Sequence, residues 1–219
     1  RMNQKVRKGE ELPEANLKKY LQQINLIDSV ESELFVEQFT HGFSNLTYLL
    51  KIENFLNGIK NLSSDFIQNH SGSISRGKFH LSRPGKMRIE YNSQPNLLIT
   101  VNGSVLTYKD LELDEISNLS TNTTPASLLT RKNISFKAKD ISISSLTIGD
   151  EQVSVTVVKK NRPEAGKFRL IFDKDVTEFR KMEVIDDLNQ VVTVKLLNIT
   201  YPEKLPSRLF YIKSSNLPF

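Results

Sequence analysis

The sequence predicts a mainly β domain with some helix, an α+β fold built on an antiparallel sheet of about ten or eleven strands. Three observations carry this. After Ser71-Gly72, short runs of alternating apolar and polar residues recur almost to the C-terminus at close, regular spacing, with turn residues between them. The densest group is 86–91, 96–101 and 104–108. Its joints are Ser93-Gln94-Pro95 and Asn102-Gly103, and the Asn-Gly step predicts a type I′ hairpin turn, in which both central residues need positive φ. Before Ser71 the apolar spacing is instead helical.

Taken in order, residues 1–12 are polar and charged and predict disorder. From Pro13, well suited to a first helical turn, Leu17, Tyr20, Leu21 and Ile24 recur at helical spacing, giving a helix that ends near Asn25. Residues 33–39 alternate as a strand, and 40–44 form a loop. Residues 45–67 read two ways: one long amphipathic helix with Ser44 or Asn45 as N-cap, or a strand over 46–52 with the helix starting near Glu53. Strands follow at 74–81, 86–91, 96–101 and 104–108. Residues 111–119 interrupt them, and 124–130 make a short helix with Thr124 as N-cap and Pro125 at the first position. Strands resume at 134–138, 141–148, 151–159, 166–173, 179–186, 191–197 and 209–211, with Asp187-Leu-Asn-Gln190 as a turn.

A chain of 219 residues holds one such domain plus an appendage. Residues 1–51 carry seven basic and seven acidic side chains, so the whole net charge of +5 lies after Lys51 and the first part is a separate piece. The pI near 9.3 permits anionic partners, yet no basic run exceeds two residues, and no nucleic acid is expected. No apolar window is long enough to span a bilayer. The chain starts at Arg1 without a charged-then-apolar leader, which fits a mature or truncated chain as well as a cytosolic one.

No catalytic constellation stands out. There is no cysteine, and His41, His70 and His80 lack metal-ligand spacing. Asp65 with Asp110 and Asp114, or Glu90 with Asp186, could pair for acid-base work, but all fall at strand ends or turns where carboxylates are solvated. Ser73, Ser75 and Ser82 sit in no nucleophile elbow, and Gly9, Gly42 and Gly58 form no phosphate loop. The expectation is no enzyme, no metal and no cofactor. A sheet that curls without closing leaves a concave apolar face that helices at 45–67 and 124–130 can cover. Phe55, Leu56, Ile59, Phe66, Met87, Ile89, Leu128 and Leu129 then either line a pocket for apolar ligands or fill an ordinary core. Arg83, before Pro84 at a strand boundary, offers five N–H donors that could tie a covering helix by its carbonyls, or is a solvated strand-end arginine.

Residues 52–219 resemble the periplasmic outer-membrane lipoprotein carrier family LolA. The resemblance runs through Leu62-Ser-Ser-Asp-Phe-Ile-Gln68, Gly77, Arg83-Pro84, Arg88 to Tyr91, Pro95, Val101-Asn-Gly103, Tyr108, Thr124-Pro125 with Leu128-Leu129, Met182-Glu-Val-Ile-Asp-Asp187, Val191 to Ile199 and Phe210, all in the family's order. It implies an incomplete barrel covered by helices, in the periplasm, whose cavity takes the acyl chains of acylated lipoproteins. It further implies receipt of cargo from an inner-membrane ABC transporter, delivery to an outer-membrane acceptor, action as a monomer, and a lid held closed by Arg83. Where the family has aromatic residues after Arg-Pro this chain has Met87 and Ile89, implying an aliphatic lining.

Residues 12–51 resemble instead the N-lobe start of aminoglycoside/choline phosphotransferase-like kinases, a helix and two strands, most specifically at Gly42-Phe-Ser-Asn-Leu-Thr-Tyr48. No catalytic loop follows, so no kinase activity is expected, and a fusion joined between Tyr48 and Phe55 is the expected origin. The leading functional reading is a non-enzymatic acyl-chain carrier. The alternatives are a protein-binding module of the same fold and an inactive kinase fragment fused to a β domain.

Overall fold

The computed structural model describes residues 14–23 and 43–212. The chain divides into two compact units, Arg1–Lys51 and Ile52–Phe219. In the first, α1 (Glu14–Gln23) buries Leu21 and exposes Tyr20. The expected disorder at 1–12, the helix ends at Pro13 and Asn25, and the strand at 33–39 lie outside the described residues. A second helix, α2 (Phe43–Gly58), carries residues of both units. It corrects the kinase likeness, because Phe43 to Tyr48 form helical turns where a kinase N-lobe would need a strand.

The second unit is a sheet of eleven antiparallel strands: β1 (Asn61–His70), β2 (Ser73–Ser82), β3 (Lys86–Tyr91), β4 (Leu97–Asn102), β5 (Val105–Asp110), β6 (Glu115–Ser120), β7 (Ile141–Ile148), β8 (Gln152–Lys159), β9 (Lys167–Asp173), β10 (Phe179–Ile185) and β11 (Val191–Thr200). Their spatial order is β6-β5-β4-β3-β2-β1-β11-β10-β9-β8-β7, so β1 and β11 meet in the middle, and β6 and β7 are free edges. The sheet is not closed.

The helix expected to run to residue 67 ends at Gly58, a poor helix former. From Asn61 the burial alternates, with Leu62, Ser64 and Phe66 inside, so Phe66 is a strand residue and not part of a covering helix. The β4–β5 turn also differs. Asn102 pairs with Val105, leaving Gly103-Ser104 as the loop, and of these Gly103 alone has positive φ, 64°. That matches the type II′ form, with glycine first, rather than type I′. The type I′ pattern belongs to Ser71-Gly72, with φ of 50° and 85°.

Three further strand expectations shift. Residues 111–119 do not simply interrupt the sheet, for β6 pairs along all of β5. Residues 134–138 form no strand, since side chains of α2 occupy their backbone groups. Residues 209–211 form no strand: Leu209 and Phe210 belong to a 3₁₀ turn, Ser207–Phe210, that buries Phe210, and Tyr211 follows it. This turn touches β3 and β4. Asn61 Nδ2 donates to the Glu203 carbonyl at 2.8 Å and Arg88 Nη1 to the Leu209 carbonyl at 3.0 Å, so the C-terminal segment straps the outer face of the sheet.

Curvature follows from contacts. The six-residue 3₁₀ segment Pro125–Thr130 touches β2, β8 and β9. It is roughly 12 Å long at 2.0 Å per residue. In a flat sheet β2 and β8, five positions apart, would be separated by about 24 Å. The sheet therefore curls around this segment, and Pro125–Thr130 lies on its inner face.

Candidate functional site

The inner face is built by register. Leu62, Leu81, Met87 and Val101 are cross-strand partners along β1 to β4, and Ser64, Phe79, Ile89 and Ile99 form the next row. The third row is Phe66, Gly77 and Tyr91. The Phe66 and Tyr91 rings meet edge to face at 5.2 Å, and the Tyr91 hydroxyl donates to Gln68 Oε1 at 2.7 Å. The lining expected to be aliphatic is thus mixed, with Phe66, Phe79 and Tyr91 beside Met87 and Ile89. Of the eight expected lining residues, Leu56, Ile59, Phe66, Met87, Leu128 and Leu129 are buried. Phe55 and Ile89 are half-buried, and Phe55 meets Phe172 of β9 edge to face at 5.6 Å.

The elements over this face are fastened at two places. At the first, the β2–β3 turn, Arg83 Nη2 donates to the Leu56 carbonyl of α2, while the Arg83 backbone N–H donates to the Lys60 carbonyl at 2.8 Å. Two residues on, the Gly85 N–H donates to the Thr130 carbonyl at 2.7 Å, and the Gly85 carbonyl accepts from Gly103 at 2.8 Å. One three-residue turn thus holds the end of α2, the end of Pro125–Thr130 and the β4–β5 turn together. Burial without a neighbouring carboxylate pulls the Arg83 guanidinium down to about 10.

The second place was not legible in the sequence. Asn57 Nδ2 donates to the Ile134 carbonyl at 2.9 Å and Asn57 Oδ1 accepts from the Ile134 N–H at 2.7 Å, as a strand neighbour would. One turn earlier, Glu53 Oε1 accepts from the Phe136 N–H. Burial raises the Glu53 carboxyl above its ordinary range, against the opposing pull of that hydrogen bond and of Lys137. Both side chains face α2's partner loop, and nothing local in the sequence points to residues 77 and 83 positions away.

The covering is incomplete. Val184, Val192 and Val194 share the inner face with Phe168 and Met182, yet Val184 is 37% exposed and the other two are half-buried. The acidic residues weighed for catalysis are held in surface pairs or turns: Asp65 accepts from Asn198 Nδ2 at 2.9 Å, Asp114 pairs with Lys109 at 2.5 Å, and Asp110 accepts the 112 and 113 backbone N–H groups. Among the described residues no His, Asp or Glu group could hold a metal ion, and no helix is long and apolar enough to cross a membrane.

Against known families, residues 57–213 match the outer membrane lipoprotein carrier protein LolA. The chain belongs to the LolA family. The match starts within α2 and takes in all eleven strands, with Arg83, Asn57 and Ile134 inside it and Glu53 and Leu56 just before it. The family's description is of carriers, proteins that bind and do not transform their cargo. An outer-membrane lipoprotein carrier protein of Legionella pneumophila (strain Paris) is 26% identical over 184 residues, covering 80% of this chain and 90% of its own. An uncharacterized protein of Rickettsia prowazekii is 24% identical over 175 residues, covering 80% of each. Among solved structures, a LolA superfamily protein from Nitrosomonas europaea aligns with a TM-score of 0.43 at 10% identity, over 75% of this chain and 97% of that one.

Proposed function

We propose that this LolA-family chain is a periplasmic carrier that takes the acyl chains of lipoproteins against the inner face of its sheet. In this reading it receives them at the inner membrane from an ABC transporter and passes them to an outer-membrane acceptor. The observation that supports it best is how the cover is held. Side-chain hydrogen bonds from Arg83 and Asn57 fasten α2 over an apolar face. Such bonds exchange without unfolding the sheet, whereas a covalent or fully interdigitated cover would not.

The energetics agree. Each CH₂ moved from water to an apolar surface is worth ~0.8 kcal/mol, so one acyl chain supplies ample binding energy to displace a few hydrogen bonds of about 1 kcal/mol each. The partly exposed valines of β10 and β11 give a chain an apolar surface to meet first. The test is titration of delipidated protein with an environment-sensitive acyl probe, followed by displacement with a triacylated lipopeptide and with its unacylated peptide. Displacement by the lipopeptide alone is expected. No probe uptake would mean that the inner face is packed shut and would overturn the reading.

A further inference from the structure

Asp140, next to the start of β7, is one carboxylate among several cations. Arg131, which follows the Pro125–Thr130 segment, donates to both of its oxygens, at 3.1 and 2.5 Å. The Asp140 carbonyl accepts from the Lys160 N–H at 2.9 Å, which brings the β8–β9 turn against the loop that leads into β7. Lys159, the register partner of Ile141, is buried beside them at 6% exposure. Burial pulls its ammonium below the ordinary lysine value, and Arg131 and Arg162 add to that pull with Asp140 opposing it. Two basic pairs far apart in the chain, Arg131-Lys132 and Lys159-Lys160, thus meet at one place together with Lys139 and Arg162. Lys137 is not part of the group, because its charged neighbour is Glu53. Against these six cations, residues 131–140 and 159–164 hold two acidic side chains, Asp140 and Glu164.

The fold does not need this concentration of charge. Arg131 and Asp140 form a complete two-pronged pair, and every further cation adds like-charge repulsion. An anionic partner removes that cost, and the surroundings decide which kind. Lys132, Lys139, Lys160 and Arg162 are exposed, on two separate segments. Among the described residues, no large apolar or aromatic side chain is exposed between Leu119 and Ile148, or between Ile148 and Val184. A protein partner would call for an aromatic or aliphatic anchor at the centre of the contact, and a nucleic-acid strand for aromatic rings on which bases stack. A surface that offers charge alone fits a partner that is a plane of charge.

We propose that this surface docks the protein on an anionic bilayer, its cations meeting the phosphates of acidic phospholipid headgroups. Each cation near such a surface is worth about fivefold in affinity, and the attraction dies away within a Debye length. Docking of this strength is reversible, as it must be for a protein that leaves the membrane again. The proposal goes beyond the carrier reading and does not depend on what the inner face holds. Asn57 and Glu53 of α2 bind residues 134 and 136 of the same loop, so docking sets the loop that fastens the cover against the membrane.

The test is flotation of the full chain with two kinds of vesicle that have the same acyl chains, phosphatidylcholine alone and phosphatidylcholine mixed with phosphatidylglycerol. Binding is expected to the mixed vesicles only, and to fall steeply as salt is added. Two double variants then remove the same charge from different places. Lys139→Gln with Lys160→Gln, both exposed, should weaken binding on the order of twentyfold. Lys181→Gln with Lys195→Gln, cross-strand partners on β10 and β11, should leave it nearly unchanged. Equal weakening by the two pairs would show that net charge alone is read and would overturn the assignment to this surface. Equal uptake by both kinds of vesicle would report lipid entering the inner face, which supports the carrier reading and overturns docking by charge. No binding to the mixed vesicles at low salt overturns the proposal and leaves the carrier reading standing. Should polyglutamate bind in their place, the surface belongs to an acidic protein and not to a membrane.

Discussion

Phe66 lays its ring directly on Gly77, its cross-strand partner: a Cβ at position 77 would stand 2.7 Å from two ring carbons and would collide with the Glu90 carbonyl. The missing side chain is what lets Phe66 lie flat at the centre of the inner face and meet Tyr91 on the far side. Gly77→Ala therefore overpacks a site with backbone on one side, and a loss of about 1–3 kcal/mol is expected in denaturant unfolding. A companion Phe66→Leu change should recover part of it. Additive losses in the pair would mean that the Glu90 carbonyl alone sets the cost.

Removing the Arg83 side chain should loosen the cover more than the sheet. Arg83→Leu deletes one hydrogen bond to Leu56 but also removes a buried and largely unpaired charge, so global stability is expected to change by less than about 1 kcal/mol. Amide exchange at residues 56–60 should accelerate several-fold, with β1 and β2 unchanged. Uniform acceleration across the sheet would show that Arg83 supports the whole fold and is not a local fastener. In a transfer assay, unchanged delivery of cargo by this variant would count against its part in the proposed function.

Much of the sheet was legible because period-two alternation bounded by turn residues is a strong local signal. It held for β2, β3, β4, β5, β7, β8, β9 and β10 to within a residue or two. The boundary between α2 and β1 was lost for a physical reason. Ile59, Leu62 and Phe66 fit helical spacing, and the competing alternation is hidden because its middle inner-face residue is a serine, Ser64. β6 was lost because every residue of this edge strand is exposed, leaving no buried face to pattern. Residues 134–138 looked like a strand and are not, since their backbone groups pair with Asn57 and Glu53, contacts set by tertiary packing alone. Arg83 was legible through its place before Pro84 and through the family resemblance. Asn57 carried no comparable mark.

Asn57 closes a two-bond ring with the backbone of Ile134, and Ile134 is 2% exposed. Asn57→Ala removes both partners of the Ile134 N–H and carbonyl at a part-buried contact, and a loss of about 1 kcal/mol is expected. Asn57→Asp keeps the acceptor for the N–H but faces the Ile134 carbonyl with a charge, and it should do no better than alanine at neutral pH. Stability equal to wild type in Asn57→Ala would show that the loop finds other partners and that this contact does not hold the cover.

The pH dependence of the cover turns on Glu53. Its folded-state pKa is raised above the ordinary value of 4.5, chiefly by burial. A carboxyl raised in this way favours folding most when protonated, so its contribution is fully present below about 4.5 and is lost as pH rises through the folded-state value. Glu53→Gln keeps an oxygen to accept the Phe136 N–H while removing the charge that burial penalises. The variant should match wild type near pH 4 and become the more stable of the two as pH rises from about 4.5 through the folded-state value, the difference levelling off above it. Asp140, held below its ordinary value by its hydrogen bond from Arg131, changes in the opposite sense and below 3.8, and it is common to both proteins, so it cancels in the comparison. Unfolding midpoints for the two proteins at a series of pH values decide the matter. A difference that does not grow with pH would mean that the Phe136 hydrogen bond and Lys137 hold Glu53 ionised at no net cost.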